Sequence, residues 1–213
     1  MGTTLRFAGR IAGWGTASGT RFVVGRWDVS PYGSFADVML ERPSGERSLL
    51  APSEEIARLV ASTYQFDRVE VVPVVVADAP PGGHRWRISA GPLVAELTIG
   101  GRTTLGRLLR LVPPRVATSV SATRVTDPVA RLLLQGVRTR GSAGSGRREY
   151  YGATDVHRLD AVRTSWAGED LGPMGAVDPP VRFGFGSTPA APAVTDVVTT
   201  IVLADSARGD VWG

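Results

Sequence analysis

The chain contains no cysteine. That excludes disulfides, a thiolate nucleophile and any cysteine-ligated metal. Lysine is missing as well, so all 24 basic side chains are arginine. Without a lysine amine, neither a Schiff base with a carbonyl substrate nor an internal aldimine with pyridoxal phosphate can form. Histidine occurs twice, as His84 and His157, which is too few for a multi-histidine metal centre. No metal and no cofactor are therefore expected. No stretch approaches the ~20 apolar residues of a membrane helix, and Met1 to Arg6 lacks the apolar centre of a signal peptide. The expectation is a soluble, cytoplasmic protein with no membrane partner.

What is present fits one globular domain. The chain has 213 residues, with 43% hydrophobic and 21% charged side chains, enough for a substantial core. Charge is unevenly spread. Between Gly101 and Arg148 stand ten arginines against one acid, Asp127, whereas the remainder holds fourteen arginines against nineteen acids. A solvated basic face accounts for such a segment, and a polyanion surface for nucleic acid is the weaker alternative. No aromatic side chain falls between Gly101 and Arg148, so base stacking has no platform there.

The hydrophobic pattern is mostly that of strands. Residues 4–14 and 20–29 read as long strands joined at Thr16-Ala17-Ser18-Gly19, with Gly13, Gly15 and Gly25 marking bends or bulges. Phe35 to Leu40 and Arg47 to Leu50 pair across Pro43-Ser44-Gly45. Ser53 is an N-cap followed by Glu54 and Glu55, and Ile56, Leu59, Val60 and Thr63 form one apolar stripe of a helix ending near Thr63. Val69 to Val76 is nearly all apolar and β-branched, which predicts a central strand covered on both faces, with Pro73 demanding a bulge or an edge. Trp86 to Ala90 and Leu93 to Ile99 form a hairpin at Gly91-Pro92.

Thr103 or Thr104 opens a helix with Leu105, Leu108, Leu109 and Val112 as its buried stripe, stopped by Pro113-Pro114. Asp127-Pro128 opens another, closed by Gln135-Gly136. Residues 141–148 read as a flexible loop, Glu149 to Trp166 and Val194 to Leu203 as strands, and 204–213 as a frayed tail. The whole is a single domain over 1–213, of α+β class but β-dominated: a curved antiparallel sheet, cone or barrel with about three short helices.

Few constellations carry chemistry. Asp155 and His157 share a strand face and could orient an imidazole, but no nucleophile motif accompanies them, and a polar strand face is the better reading. Gly141 to Gly146 before Arg147-Arg148 lacks the ending of a phosphate-binding loop. The aromatics Trp27, Tyr32, Phe35, Tyr64, Phe66 and Trp86 suit a core, or in a curled sheet the wall of a ligand cavity to which Tyr32 and Tyr64 contribute.

Gly33-Ser34-Phe35-Ala36-Asp37, the strand and turn after it, an alanine-containing helix, and Tyr64-Gln65-Phe66-Asp67-Arg68 together resemble the acetoacetate-decarboxylase-like superfamily. That group shows a Gly-X-aromatic-X-acid strand, a helix, and then an aromatic-Pro-Lys segment with the Schiff-base lysine. Here Asp67-Arg68 stands in place of Pro-Lys, and an arginine stays protonated. The resemblance therefore implies the scaffold, a cone-like sheet around an apolar cavity, without amine-catalysed decarboxylation. It implies Arg26, Asp37 and Arg68 at the cavity mouth, with arginine clamping a substrate carboxylate and Asp37 orienting it or carrying a proton. A binding protein for a small organic or acyl anion is the resulting expectation. A polyanion-binding surface or a structural domain without catalysis are the alternatives, and a homo-oligomer is compatible with each.

Overall fold

The computed structural model describes residues 4–80, 84–111, 140–143, 147–183 and 188–202. In chain order the described elements are β1 (Thr4–Thr16), β2 (Arg21–Val29), β3 (Phe35–Glu41), β4 (Arg47–Ala51), α1 (Glu54–Ala61), β5 (Arg68–Val71) and β6 (Val74–Asp78). There follow β7 (Arg85–Ala90), β8 (Leu93–Arg102), α2 (Thr104–Leu109), β9 (Arg140–Ala143), β10 (Arg147–Trp166), β11 (Glu169–Asp170), β12 (Met174–Gly175) and β13 (Ala193–Val202). The strands run β5-β4-β3-β2-β1-β13-β10-β8-β7-β6 in one curled sheet. All pairs are antiparallel except β4 with β5. The β-dominated α+β class with a curved sheet is what the structure has.

The curl comes from one short run of chain. β5 is one edge of the sheet and β6 the other, and only Val72-Pro73 lies between them. Val72 still donates its N–H to Ala51 O at 2.9 Å. Pro73 follows with its N–H side turned away from β4, where the edge strand has no neighbour, and there the chain leaves β4 and takes up β7 instead. Val69 to Val76 is thus not the central strand its composition predicts. Val69, Val71 and Val75 are 44%, 43% and 55% exposed, because a β-branched run states strand preference but not position in the sheet.

Side-chain alternation gives β1 to β4 two buried faces. Trp14, Phe22, Val24, Val38, Leu40 and Leu50 form the inner face and meet Trp86, Ile88 and Leu97 of the opposite wall. Ile11, Val23, Met39 and Leu49 form the outer face, covered by Ile56 and Val60 of α1 and by Val177, Val181 and Phe183. β7 and β8 bury alternate residues only. α1 forms where its cap and stripe predict, with the Ser53 side chain accepting from Ile56 N–H and with Ile56, Ala57 and Val60 buried.

Other expectations need correction. The α2 leucine stripe is not fully buried: Leu105 and Leu109 are half-buried, Leu108 is 53% exposed, and Val112 lies outside the described residues. The helix packs through Gly106, whose missing Cβ would strike the Val156 carbonyl and come within 2.7 Å of Asp155 Oδ1. Gly13, Gly15 and Gly25 sit in regular pairing, and the bulge falls at Ala8/Gly9, where Asp28 is the extra residue. Residues 140–143 and 147–150 pair as the hairpin β9–β10 inside the segment read as a loop. The helix read at Asp127 to Gln135, most of the basic segment and the 204–213 tail lie outside the described residues. No helix among the described residues is long and apolar enough to cross a membrane.

One buried charge cluster fastens the outer cover. Glu41 is fully buried and receives Arg21 at 3.0 Å and Arg182 at 2.8 Å, plus the Arg182 backbone N–H at 2.7 Å. Removing Glu41 leaves the buried Arg21 charge without its partner in a medium that solvates it poorly, whereas Arg182 can turn to water. Glu41→Ala is expected to destabilise the fold by roughly 3–5 kcal/mol, measured by urea unfolding.

Candidate ligand pocket

Asp37 pairs with Gly25 across the β2–β3 ladder, which places its carboxyl on the outer face under α1. Trp27 lies on the same face and donates Nε1–H to Asp37 Oδ1 at 2.9 Å. A Cβ on Gly25 would stand 2.6 Å from both of those atoms, so glycine leaves the room this hydrogen bond occupies. Asp37 is 3% exposed. Burial lifts its carboxyl to about 7, and the indole N–H opposes the rise only in part.

The contrast with the other buried acids is sharp. Glu41 has two arginines, and Asp155 has Arg102 at 2.8 Å. Burial would raise Asp155 too, but the Arg102 guanidinium and the Val156 N–H outweigh it and hold that carboxyl below its ordinary value. Asp37 has no cation among the groups that set its proton affinity. It lines a cavity of about 50 Å³ walled by Phe7, Ile11, Leu59, Val60 and Ile201, with Tyr64 at one side. Thr199 lines the same cavity, and its hydroxyl is buried without a hydrogen-bond partner. An apolar hollow with one uncompensated carboxyl and one orphan hydroxyl is suited to a ligand that brings the missing polar contacts.

Of the residues expected to bind a ligand, Asp37 and Tyr64 line this pocket, and Tyr32 stacks on Phe7 at its margin with ring centroids 6.3 Å apart. Arg26 and Arg68 are elsewhere. Arg26 pairs in register with Ala36, one residue from Asp37, so the pleat turns it to the inner face. There it grips Asp78 with two hydrogen bonds of 2.9 and 3.0 Å and lies 5.4 Å from the Trp86 ring centroid. Arg68 is exposed on edge strand β5 and pairs with Glu70 at 2.7 Å. The expected mouth of Arg26, Asp37 and Arg68 is therefore not formed. Beside Arg68, Asp67 binds Arg47 through Nε at 3.0 Å and Nη2 at 2.8 Å, and those hydrogen bonds hold its carboxyl near 2.

Thr199, Gly25 and the α1 roof residues Leu59 and Val60 were not legible as pocket residues. Thr199 sits in a Val- and Thr-rich strand where nothing in the sequence separates a lining threonine from a surface one.

A second, polar cavity of about 120 Å³ lies on the inner face and gathers Arg10, His84, His157 and Asp196. Both histidines of the chain thus converge there. Arg10 pairs with Asp196 at 2.9 Å, and His157 has Nδ1 3.2 Å from Gly100 O and Nε2 3.5 Å from Asp155 Oδ2. Arg10, Asp196 and His157 all have partners, and no group of three or more metal-capable side chains exists among the described residues. Asp155 and His157 thus belong to an ion-pair network linking β10 to β8.

No family model and no curated protein matches the chain. A similar solved structure is that of a Nitrosomonas europaea protein provisionally named AttH, 14% identical, with a TM-score of 0.29. The match covers 94% of this chain and 51% of that one, so the chain spans about half the length of that protein.

The buried acid makes stability depend on pH. Folded Asp37 keeps its proton up to about pH 7, while in the unfolded chain it is lost near the ordinary value of 3.8. The native state therefore binds the extra proton between those values, and stability falls as pH rises from about 4 to 7, then levels off. The Asp37 contribution amounts to about 4 kcal/mol at most. Asp37→Asn, which keeps an acceptor for Trp27, is expected to remove that decline in urea unfolding measured at pH 4.5, 6 and 8.

Proposed function

We propose that the protein binds a small, largely apolar molecule in the cavity beneath α1, with Asp37 as the polar anchor. One observation carries the reading: a carboxyl 3% exposed, with no cation to offset its burial, faces an apolar hollow that also holds the orphan Thr199 hydroxyl. Leaving two such groups buried and under-partnered costs on the order of 1–3 kcal/mol each, a cost that stability alone gives no reason to retain. Strongly perturbed acids in clefts mark functional sites more often than ordinary core positions.

The resemblance to acetoacetate-decarboxylase-like proteins, carried by Gly33 to Asp37 and the helix after it, agrees with a ligand-holding scaffold. Amine catalysis is not part of the proposal, since the chain has no lysine. The arginine clamp on which an anionic ligand depended is not available in this pocket, so the ligand is defined by what suits Asp37. The enclosed space of about 50 Å³ takes a head group, with the rest of the molecule lying toward the opening.

Leu59→Trp tests the site without touching the sheet, because Leu59 is a half-buried residue of α1 at the pocket wall. With 1-hexanol as probe, wild type is expected to bind with a change in tryptophan fluorescence, and Leu59→Trp to bind at least about tenfold more weakly by calorimetry. Equal affinity in the two proteins would remove the pocket from the proposal.

A further inference from the structure

Resting on the pocket reading above, we propose that the ligand is a small hydrophobic amine, held as its ammonium ion. Its charged head lies against Asp37 and its hydrocarbon tail along the apolar wall toward the opening.

Asp37 has been taken out of water without a counter-ion, so the desolvation that usually cancels a buried ion pair has in part been incurred before any ligand arrives. An ammonium ion entering the cavity supplies the absent charge and a charge-assisted hydrogen bond, roughly twice as strong as a neutral one. Its remaining N–H groups need acceptors. The Thr199 hydroxyl, buried and without a partner, has lone pairs to offer one of them. A neutral alcohol satisfies the same two groups without the Coulomb attraction, and a carboxylate would set two negative charges together in an apolar medium.

Among the described residues, the pocket lining holds no rival cation. On β2 the facing groups are Gly25 and the Trp27 indole, and on β1 and β13 they are Phe7, Ile11, Thr199 and Ile201. α1 presents Leu59, Val60 and, just beyond its end, Thr63, while its charged residues Glu54, Glu55 and Arg58 are exposed. Tyr64 is the one other titratable group in the lining. Arg21, the nearest arginine buried on this face, is committed to Glu41, and Arg26 points to the other face, on Asp78. The arginines nearest in sequence, Arg21, Arg26, Arg42 and Arg47, each have a carboxylate partner, and the counter-charge is left for the ligand to bring.

The test uses the full chain and three probes of equal length: n-hexylamine, 1-hexanol and hexanoate, titrated by calorimetry from pH 6 to 8. An alkylammonium stays protonated throughout that range, so the pH dependence reports Asp37. The expected result is that hexylamine binds at least about tenfold more tightly than hexanol at pH 8. That advantage should shrink about tenfold by pH 6, as Asp37 takes up its proton. Asp37→Asn should abolish both the amine advantage over hexanol and its dependence on pH. Because the pH profile is read on wild type, the test stands even where the variant folds poorly. Equal binding of amine and alcohol at pH 8, or tighter binding of hexanoate, overturns the amine inference while sparing the pocket. If none of the three probes binds, the pocket reading itself falls.

Discussion

Over 11–16 of β1, 21–25 of β2, and most of β3 and β4 the sheet is covered on both faces, and this one constraint decides what each polar residue there must do. An ordinary antiparallel sheet can turn its polar positions to water. Here the inner positions meet the opposite wall of the curl, and the outer positions meet α1 and residues 177–183. A charged side chain on these strands therefore has to be paired within the protein or held neutral. Glu41 follows the first course with Arg21 and Arg182. Asp37 follows the second, its carboxyl lifted to about 7 by burial. Two acids on one strand and one face, four residues apart, have been given opposite environments.

The same constraint accounts for what could be read from the sequence. Capping at Ser53, the turn at Pro43-Ser44-Gly45 and the hairpin at Gly91-Pro92 are local signals, and the structure has the elements they announce. Asp37, Tyr64 and Tyr32 were visible because acid and aromatic residues stand out against an apolar strand. Sheet position was not visible. Val69 to Val76 looks central because edge and centre ask for the same β-branched residues, and only Pro73 hinted at the break. The grouping of Arg26 with Asp37 failed for a sharper reason. One step of register reverses the face of a side chain, and nothing local tells which residue of β2 stands opposite Asp37. The α2 stripe failed because Gly106, not a leucine, makes the close approach to β10.

The two cavities illustrate how polar groups should be weighed when a site is sought. The inner one is larger, holds both histidines and would attract attention on residue types alone. Yet Arg10 and Asp196 already neutralise one another, and both nitrogens of His157 face acceptors. Such a network is close to self-sufficient, and a ligand entering it must break contacts as costly as those it makes. The outer cavity has fewer groups and less space, but its carboxyl lacks a cation and its threonine lacks a partner. Unfinished interactions are better pointers to a ligand than abundant ones.

Gly25 shows how closely the pocket is tied to the sheet. A side chain there would collide with the Asp37 carboxylate and the Trp27 indole, so the hydrogen bond that tempers Asp37 exists only because the facing position is bare. Were that position filled, Asp37 would have to turn toward α1 or lose the Trp27 N–H, and burial would raise its proton affinity further. The glycine, the indole and the carboxyl therefore act together. They keep an acid buried yet able to ionise near neutral pH, aimed at a space that no cation among the described residues lines.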